Sequence, residues 1–131
     1  MSDIRILLVD DHKIVLDGLE ALLDDMDGLD CVATADNGQK ALELLKIFDI
    51  DVVLMDIDMP VMNGMEATKA VKREHPKVKV ISLTQHSEKG MVKQLIECGS
   101  DGYLLKNIDR DELATAIRKV HEGQNYFSSE V

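Results

Sequence analysis

The sequence predicts an α/β protein in which five parallel strands form one sheet covered by helices on both faces. Five short apolar runs alternate along the chain with segments whose apolar residues recur at helical spacing. The 131 residues suffice for one domain of ordinary size, with 1–123 as the domain and 124–131 as a C-terminal tail. Strands and helices that alternate in this way are joined by right-handed crossovers, so the strands lie parallel.

The first half of the chain carries three predicted strands and two predicted helices. Residues 4–9 form an apolar run that predicts the first strand. Apolar residues within 15–26 lie at one-face helical spacing and predict the first helix. The run 31–35 predicts the second strand, the pattern within 41–48 the second helix, and the run 52–55 the third strand.

The second half continues the alternation. The segment 67–74 is a weaker helical pattern that stops before Pro76, and the run 78–83 predicts the fourth strand. Apolar residues within 92–96 indicate a fourth helix, and the run 102–105 predicts the fifth strand.

The fifth helix is marked by apolar residues within 113–120. Asp109, followed three residues later by Glu112, resembles a capping box at its start, and Gly123 lies where the helix should stop. The residues that follow, 124–131, are polar and are expected on the surface or at the start of a linker.

Charge and hydropathy argue against two classes of function, DNA binding by this chain alone and a membrane span. The chain has 15 basic and 25 acidic residues, a net charge of −10, which repels phosphate backbones, so binding of DNA by this chain alone is not expected. No apolar stretch approaches the roughly 20 residues that a membrane span needs, and no signal peptide is evident. We therefore expect a cytoplasmic location.

Other patterns exclude further sites. Cys31 and Cys98 lie far apart without metal-ligand spacing, and we expect buried free thiols. The four histidines form no ligand pattern. Neither a GxGxxG nor a P-loop sequence follows the first strand, which excludes a dinucleotide-binding fold.

Polar side chains follow four of the predicted strands. Asp10 and Asp11 follow the first, Asp56 the third, Thr84 the fourth and Lys106 the fifth. Parallel sheets bind ligands outside the carboxyl ends of their strands, so these side chains are expected to meet at one edge. Neighbouring carboxylates need a cation or a shared proton, and oxygen ligands favour Mg²⁺.

A carboxylate beside Mg²⁺ and a lysine suits phosphoryl transfer, because metal and ammonium offset the charge on the phosphoryl oxygens. Asp56 is the expected nucleophile. Asp11 and Asp56 would bind the metal directly, the backbone carbonyl of Asp58 could complete the protein ligands, and Asp10 could hold metal-bound water.

Lys106 and Thr84 complete the expected chemistry. Lys106 would contact the transferred phosphoryl group, and Thr84 would donate its hydroxyl to a phosphoryl oxygen and so move the loop after the fourth strand. Each polar residue alone has a plainer interpretation as a helix cap, a loop hydroxyl or a surface lysine. The whole set at one sheet edge is what indicates a site.

With these residues the chain resembles a response-regulator receiver domain over essentially its whole length. The motifs that carry the resemblance are Asp10-Asp11, Asp56, Met59-Pro60, Gly64, Thr84 and Gly102-Tyr103-Leu104-Leu105-Lys106. The resemblance implies a flavodoxin-like (CheY-like) fold with sheet order 2-1-3-4-5, Mg²⁺ dependence, and phosphorylation of Asp56 by a sensor histidine kinase. It also implies that Tyr103 rotates inward when Thr84 moves. Such a domain is not an enzyme and catalyses only its own phosphorylation and dephosphorylation.

The segment 102–106, together with Ala116-Ile117-Arg118 and Tyr126-Phe127-Ser128, is similar to the NarL/FixJ subfamily with LuxR-type output. That similarity implies transcription regulation through a C-terminal helix-turn-helix domain absent here, with 124–131 beginning its linker, and a homodimer on phosphorylation. A free-standing receiver is the alternative, because it would share every site residue.

Some positions depart from the family pattern. Asn107 stands where many receivers have proline, which leaves the geometry of the Lys106-Asn107 peptide open. Gln85 replaces a small residue, and its bulk is expected to hinder water near the phosphoryl group. Asp58 and His86 flank the same site and are expected to tune the phosphoryl lifetime as well.

Two other functions compete with this interpretation. Asp56-Ile57-Asp58 also matches the DxD pattern of haloacid-dehalogenase-like phosphatases, although that motif normally ends the first strand. The other is a pure interaction module. The first helix, with Ile14 and Leu16 off its main apolar stripe, is the candidate surface for kinase docking.

Overall fold

In the computed structural model, which describes residues 3–57, 63–84, 89–106 and 108–127, strands and helices alternate as predicted. The strands are β1 (Ile4–Val9), β2 (Leu29–Ala35), β3 (Val52–Asp56), β4 (Lys79–Thr84), β5 (Gly102–Leu105) and β6 (Tyr126–Phe127). The helices are α1 (Lys13–Asp24), α2 (Gly38–Ile47), α3 (Gly64–Glu74), α4 (Lys89–Cys98) and α5 (Arg110–His121). All strand pairs are parallel, in the order β2-β1-β3-β4-β5-β6.

The fold is a flavodoxin-like α/β sandwich, and the implied order 2-1-3-4-5 is present with one strand added at its edge. The sequence predicts five strands, whereas the described ranges contain six. The additional strand β6 falls within 124–131, the segment expected to be a tail. Two residues are too few to show a periodicity, and pairing with β5 is what makes this segment a strand.

Helix ends are set by capping side chains and one glycine. The predicted capping box at α5 is confirmed in its first half, since the Asp109 side chain accepts a 2.8 Å hydrogen bond from the Glu112 amide. Gly123 ends this helix with φ of 100°, a left-handed conformation that favours glycine. Asn37 and Asn63 cap α2 and α3 in the same way as Asp109 caps α5.

The core lies in two layers, one on each face of the sheet. The layer that includes α1 and α5 contains residues such as Leu8, Leu54 and Leu113. The other layer, formed with α2 and α3, contains residues of the opposite strand faces. Leu16 is partly buried against the layer of α1 and α5, so the prediction that it lies off the apolar stripe of α1 is wrong. Ile14, to which the same prediction applies, is 87% exposed.

The cysteines are free thiols, as predicted. Cys98 is buried, but Cys31 on β2 is only half-buried. Burial, followed by the negative charges of Glu20, Asp24 and Asp30, raises the pKa of Cys31 to about 12. Among the described residues, no helix is both long and apolar enough to cross a membrane.

Candidate functional site

The register of the parallel strands brings the predicted site residues to one edge of the sheet. Asp10 follows β1, Asp56 ends β3, Thr84 ends β4 and Lys106 follows β5. Asp56 pairs with Leu83, the neighbour of Thr84 along β4. The Thr84 carbonyl accepts a 2.8 Å hydrogen bond from the Lys106 amide. The expected convergence of these strand ends is therefore present in the fold.

Lys106 joins two buried carboxylates at this edge. Its Nζ lies 3.0 Å from Oδ2 of Asp10 and 3.1 Å from Oδ1 of Asp56. The side chains of both aspartates are at most 1% exposed, and that of Lys106 is 10% exposed. Burial disfavours the ammonium, but hydrogen bonds to Asp10 and then Asp56 outweigh it and raise the pKa of Lys106. The lysine therefore remains positively charged beside both carboxylates.

The acidic side chains fit a divalent cation. Asp10, Asp11, His12 and Asp56 offer ligand atoms that all lie within 4.8 Å of one another. Three carboxylates face the single ammonium of Lys106, so the cluster keeps an excess of negative charge. Carboxylate oxygens are the donors that Mg²⁺ prefers, so the donor set and its charge suit this ion. Asp58, whose carbonyl is a further expected ligand, lies outside the described residues.

His12 is a member of this cluster that the sequence interpretation does not identify. Its Nδ1 lies 3.2 Å from Oδ1 of Asp10 and 3.1 Å from Oδ1 of Asp11. The His12 amide donates a 2.9 Å hydrogen bond to Oδ1 of Asp10 as the chain turns into α1. Histidine spacing shows no ligand pattern because the partners of His12 are its two acidic neighbours, and its position directly after them is the only signal.

The two expected switch residues are both buried. Thr84 is 0% exposed at the end of β4. Tyr103 is also 0% exposed and lies in a small apolar cluster with Ile57, Val92 and Leu95. Tyr103 is therefore fully enclosed in this structure, and its expected rotation when Thr84 moves stays a prediction. The expected tuning residues at 85 and 86 and the asparagine at 107 lie outside the described residues.

Gly64, at the first turn of α3, packs directly on the backbone that carries Asp56. A Cβ at this position would lie 2.3 Å from the carbonyl oxygen of Asp56 and 2.4 Å from the Cα of Ile57. The Gly64 amide donates a 3.2 Å hydrogen bond to the Ile57 carbonyl. Glycine is therefore needed for this close approach. The Met59-Pro60 pair of the same motif lies outside the described residues.

A cleft of about 270 Å³ opens beside the acids, between the turns that follow β1 and β2. Asp10 and Asp11 line one side of it, and Lys13 and Lys40 also line it. Solvent and small polar molecules can therefore approach the acidic cluster from this side, where the two lysines reduce the repulsion of anions.

Comparison with known proteins shows which proteins this chain is similar to. A family model described as the response regulator receiver domain matches residues 6–118. Response regulator GacA of Pseudomonas viridiflava is 41% identical over 128 residues, which cover 98% of this chain and 60% of the relative. Transcriptional regulatory protein LnrK of Bacillus subtilis is 44% identical over 120 residues, which cover 92% of this chain and 54% of the relative.

A solved structure gives the same result as these sequence comparisons. The crystal structure of a LuxR-family two-component response regulator from Aurantimonas sp. SI85-9A1 superposes with a TM-score of 0.93 at 32% identity. The match covers 98% of this chain and 92% of that structure. This chain spans only 60% of the length of GacA and 54% of the length of LnrK.

Proposed function

Because the chain belongs to the response regulator receiver domain family, we propose that Asp56 accepts a phosphoryl group from a phosphohistidine on a sensor histidine kinase. The contact of the Lys106 ammonium with the Asp56 carboxylate, 3.1 Å between Nζ and Oδ1, carries this proposal. It holds a positive charge where the incoming phosphoryl oxygens must lie, inside a cluster of carboxylates. Receiver domains are signalling domains, and catalysis here is confined to the domain's own phosphorylation and dephosphorylation.

The proposed reaction is a displacement at phosphorus. A carboxylate oxygen of Asp56 attacks, the new O–P bond forms, and the P–N bond to the kinase imidazole breaks. The leaving imidazole keeps the electron pair and takes up a proton. Lys106, already paired with Asp56, moves its hydrogen bond to a phosphoryl oxygen and offsets the charge that this oxygen gains.

The acids would support the transfer by holding a metal ion. Asp11, Asp56 and the carbonyl of Asp58 would hold Mg²⁺, Asp10 would hold a water on the ion, and the ion would supply positive charge at the phosphoryl oxygens. Asp10 also positions the Lys106 ammonium through their 3.0 Å contact. Water that reaches the acyl phosphate reverses the modification, and residues 58, 85 and 86 are proposed to set the rate of that hydrolysis.

The phosphoryl group is proposed to act through Thr84 and Tyr103. The Thr84 hydroxyl donates to a phosphoryl oxygen, which favours the inward position of Tyr103.

A phosphoacceptor fits the fold better than a haloacid-dehalogenase-like phosphatase, because Asp56 ends the third strand of the chain and not the first.

The relatives indicate how such a signal is used. LnrK is named a transcriptional regulatory protein, and this chain spans 54% of it. We therefore propose that the receiver controls transcription in the cytoplasm through a C-terminal DNA-binding domain and that phosphorylation promotes a homodimer.

The strongly exposed Ile14 at the start of α1 remains the proposed contact for the kinase.

Intact mass after incubation with acetyl phosphate tests the proposed function. The wild type should gain one phosphoryl group only when Mg²⁺ is present, and Asp56→Asn should gain none. A wild-type protein that gains no phosphoryl group under any condition would favour the interaction module. Continuous consumption of stable phosphate esters would favour the phosphatase.

A further inference from the structure

The strand β6 lies directly beside the expected switch residue. In the parallel pairing of β5 with β6, Gly102 is the partner of Tyr126 and Tyr103 is the partner of Phe127. The Tyr126 amide donates a 3.1 Å hydrogen bond to the Asp101 carbonyl. The chain that leaves α5 therefore returns to the sheet edge formed by the strand that carries Tyr103.

Two glycines make room for this return. Gly123 has φ of 100° and turns the chain at the end of α5. A Cβ on Gly102 would lie 2.9 Å from the Tyr126 carbonyl oxygen and 3.3 Å from the Ile81 side chain. Any larger residue at 102 would force β6 or its neighbours to shift, so this edge is shaped to receive the strand.

The two residues of β6 point to opposite faces of the sheet, as neighbouring strand residues must. Tyr126 packs against the layer of α1 and α5, and its hydroxyl donates a 3.0 Å hydrogen bond to Oε2 of Glu112. The Lys119 ammonium lies 5.9 Å from the centre of its ring. Tyr126 thus anchors β6 to α5, on the face away from Tyr103.

Phe127 lies on the other face. It is partly buried and packs against the cluster that contains Tyr103, Val92 and Leu95. As the register partner of Tyr103, it extends this apolar cluster at the open edge of the sheet. Burial of Tyr103 and docking of Phe127 therefore stabilise each other through the same apolar contacts.

We propose that β6 is the coupling element between the site and the chain beyond Phe127, because Phe127 docks best when Tyr103 is inward. This coupling rests on the proposed function, in which the phosphoryl group on Asp56 favours the inward Tyr103. Coupling free energies are reciprocal, so a phosphoryl group on Asp56 strengthens the docking of β6, and docked β6 strengthens binding at the site. Phe127 is thereby held more tightly against β5 in the phosphorylated state.

Beryllofluoride with Mg²⁺ is the probe, because it mimics a phosphoryl group without a covalent step. Hydrogen exchange at the Tyr126 amide should slow by about fivefold or more on its addition to the wild type, the lower end of typical couplings. The Phe127→Ala variant should bind beryllofluoride about fivefold or more weakly. The matched control is Phe48→Ala, which truncates the chain's other phenylalanine at the end of α2, and its affinity should equal that of the wild type.

The outcomes separate this coupling from the function on which it rests. If beryllofluoride binds the wild type but exchange at residue 126 is unchanged, or Phe127→Ala binds it like the wild type, the coupling is wrong and the phosphoacceptor remains. If ¹⁹F NMR shows no bound beryllofluoride on the wild type, the proposed function fails and the coupling with it. The exchange measurement uses the wild type alone, so it decides the matter even if Phe127→Ala does not fold.

Discussion

Lys106 Nζ lies 3.1 Å from Oδ1 of Asp56, and this contact joins the loop after β5 to the end of β3. The same ammonium lies 3.0 Å from Oδ2 of Asp10. One positive charge thus holds two buried carboxylates that would otherwise repel each other. The arrangement stabilises the fold, and in the proposed function it also prepares Asp56 for an incoming phosphoryl group.

Removal of this ammonium should therefore cost stability. Lys106→Met keeps most of the side-chain volume but leaves Asp10 and Asp56 without their shared cation, and we expect the free energy of unfolding to fall by roughly 3 kcal/mol. Urea denaturation in a chelator measures the loss. Lys93→Met, at an exposed position on α4, is the matched control and should stay within about 0.5 kcal/mol of wild type. Equal stability of the two variants would contradict the structural role of Lys106.

Magnesium should stabilise the folded protein, because its ligands come together only in the fold. At a concentration ten times its dissociation constant, the free energy of unfolding should rise by about 1.4 kcal/mol. Thermal melting with and without Mg²⁺ measures this effect. It should largely disappear in Asp11→Asn and persist in Asp30→Asn, an exposed acid on β2. An equal effect in both variants would mean that the ion binds elsewhere.

Gly64→Ala should destabilise the protein and impair the site together. The added methyl group would lie 2.3 Å from the Asp56 carbonyl oxygen, so the backbone beneath Asp56 must move. We expect a cost of about 2 kcal/mol or more, together with weaker phosphorylation by acetyl phosphate.

The control for this substitution is Gly18→Ala in α1, where an added Cβ would meet nothing within 4 Å. That change should raise stability by about 0.5 to 1 kcal/mol, because alanine favours a helix. Urea denaturation compares the two variants. A Gly64→Ala variant as stable as the wild type would contradict the close contact of α3 with the Asp56 backbone.

The Cys31 thiol should react slowly at mildly alkaline pH. Its pKa is raised from 9.0 to about 12, first by burial and then by nearby acids. Between these two values the unfolded chain loses the thiol proton and the folded chain keeps it. The stability contribution of this thiol is therefore complete below 9.0 and is lost as the pH rises toward 12.

Alkylation by iodoacetamide in a Cys98→Ser background measures this pKa at a single thiol. The alkylation rate of the folded protein should keep rising well above pH 9.0, whereas the rate of the denatured chain should level off near that pH. A folded-state midpoint equal to that of the denatured chain would contradict the raised pKa.

Much of the fold follows from local patterns in the chain. Apolar runs such as 52–55 are buried on both faces of the sheet, so they stand out in the sequence as strands. The acids at 10, 11 and 56 can be placed together because strand ends in a parallel sheet share one edge. Their meeting with Lys106 follows from the same geometry.

Other features depend on contacts that no local pattern encodes. The strand at Tyr126 and Phe127 forms because β5 offers an edge for pairing, which is a tertiary condition, although Gly123, which turns the chain toward that edge, is a local signal. The same holds for His12, whose ring meets Asp10 and Asp11 only because the chain bends into α1 at that point. Partial burial of Leu16 likewise depends on how α1 lies against the sheet.

The position of the phosphoryl group tests the proposed role of Asp56 most directly. After reaction with acetyl phosphate and Mg²⁺, borohydride reduces an aspartyl phosphate to homoserine, and tandem mass spectrometry identifies the altered residue. If Asp56 is the phosphoacceptor, homoserine should appear at position 56 alone, and none should appear in Asp56→Asn. Homoserine at position 10 or 11, or a phosphoryl group retained on His12 with Asp56 unmodified, would contradict it.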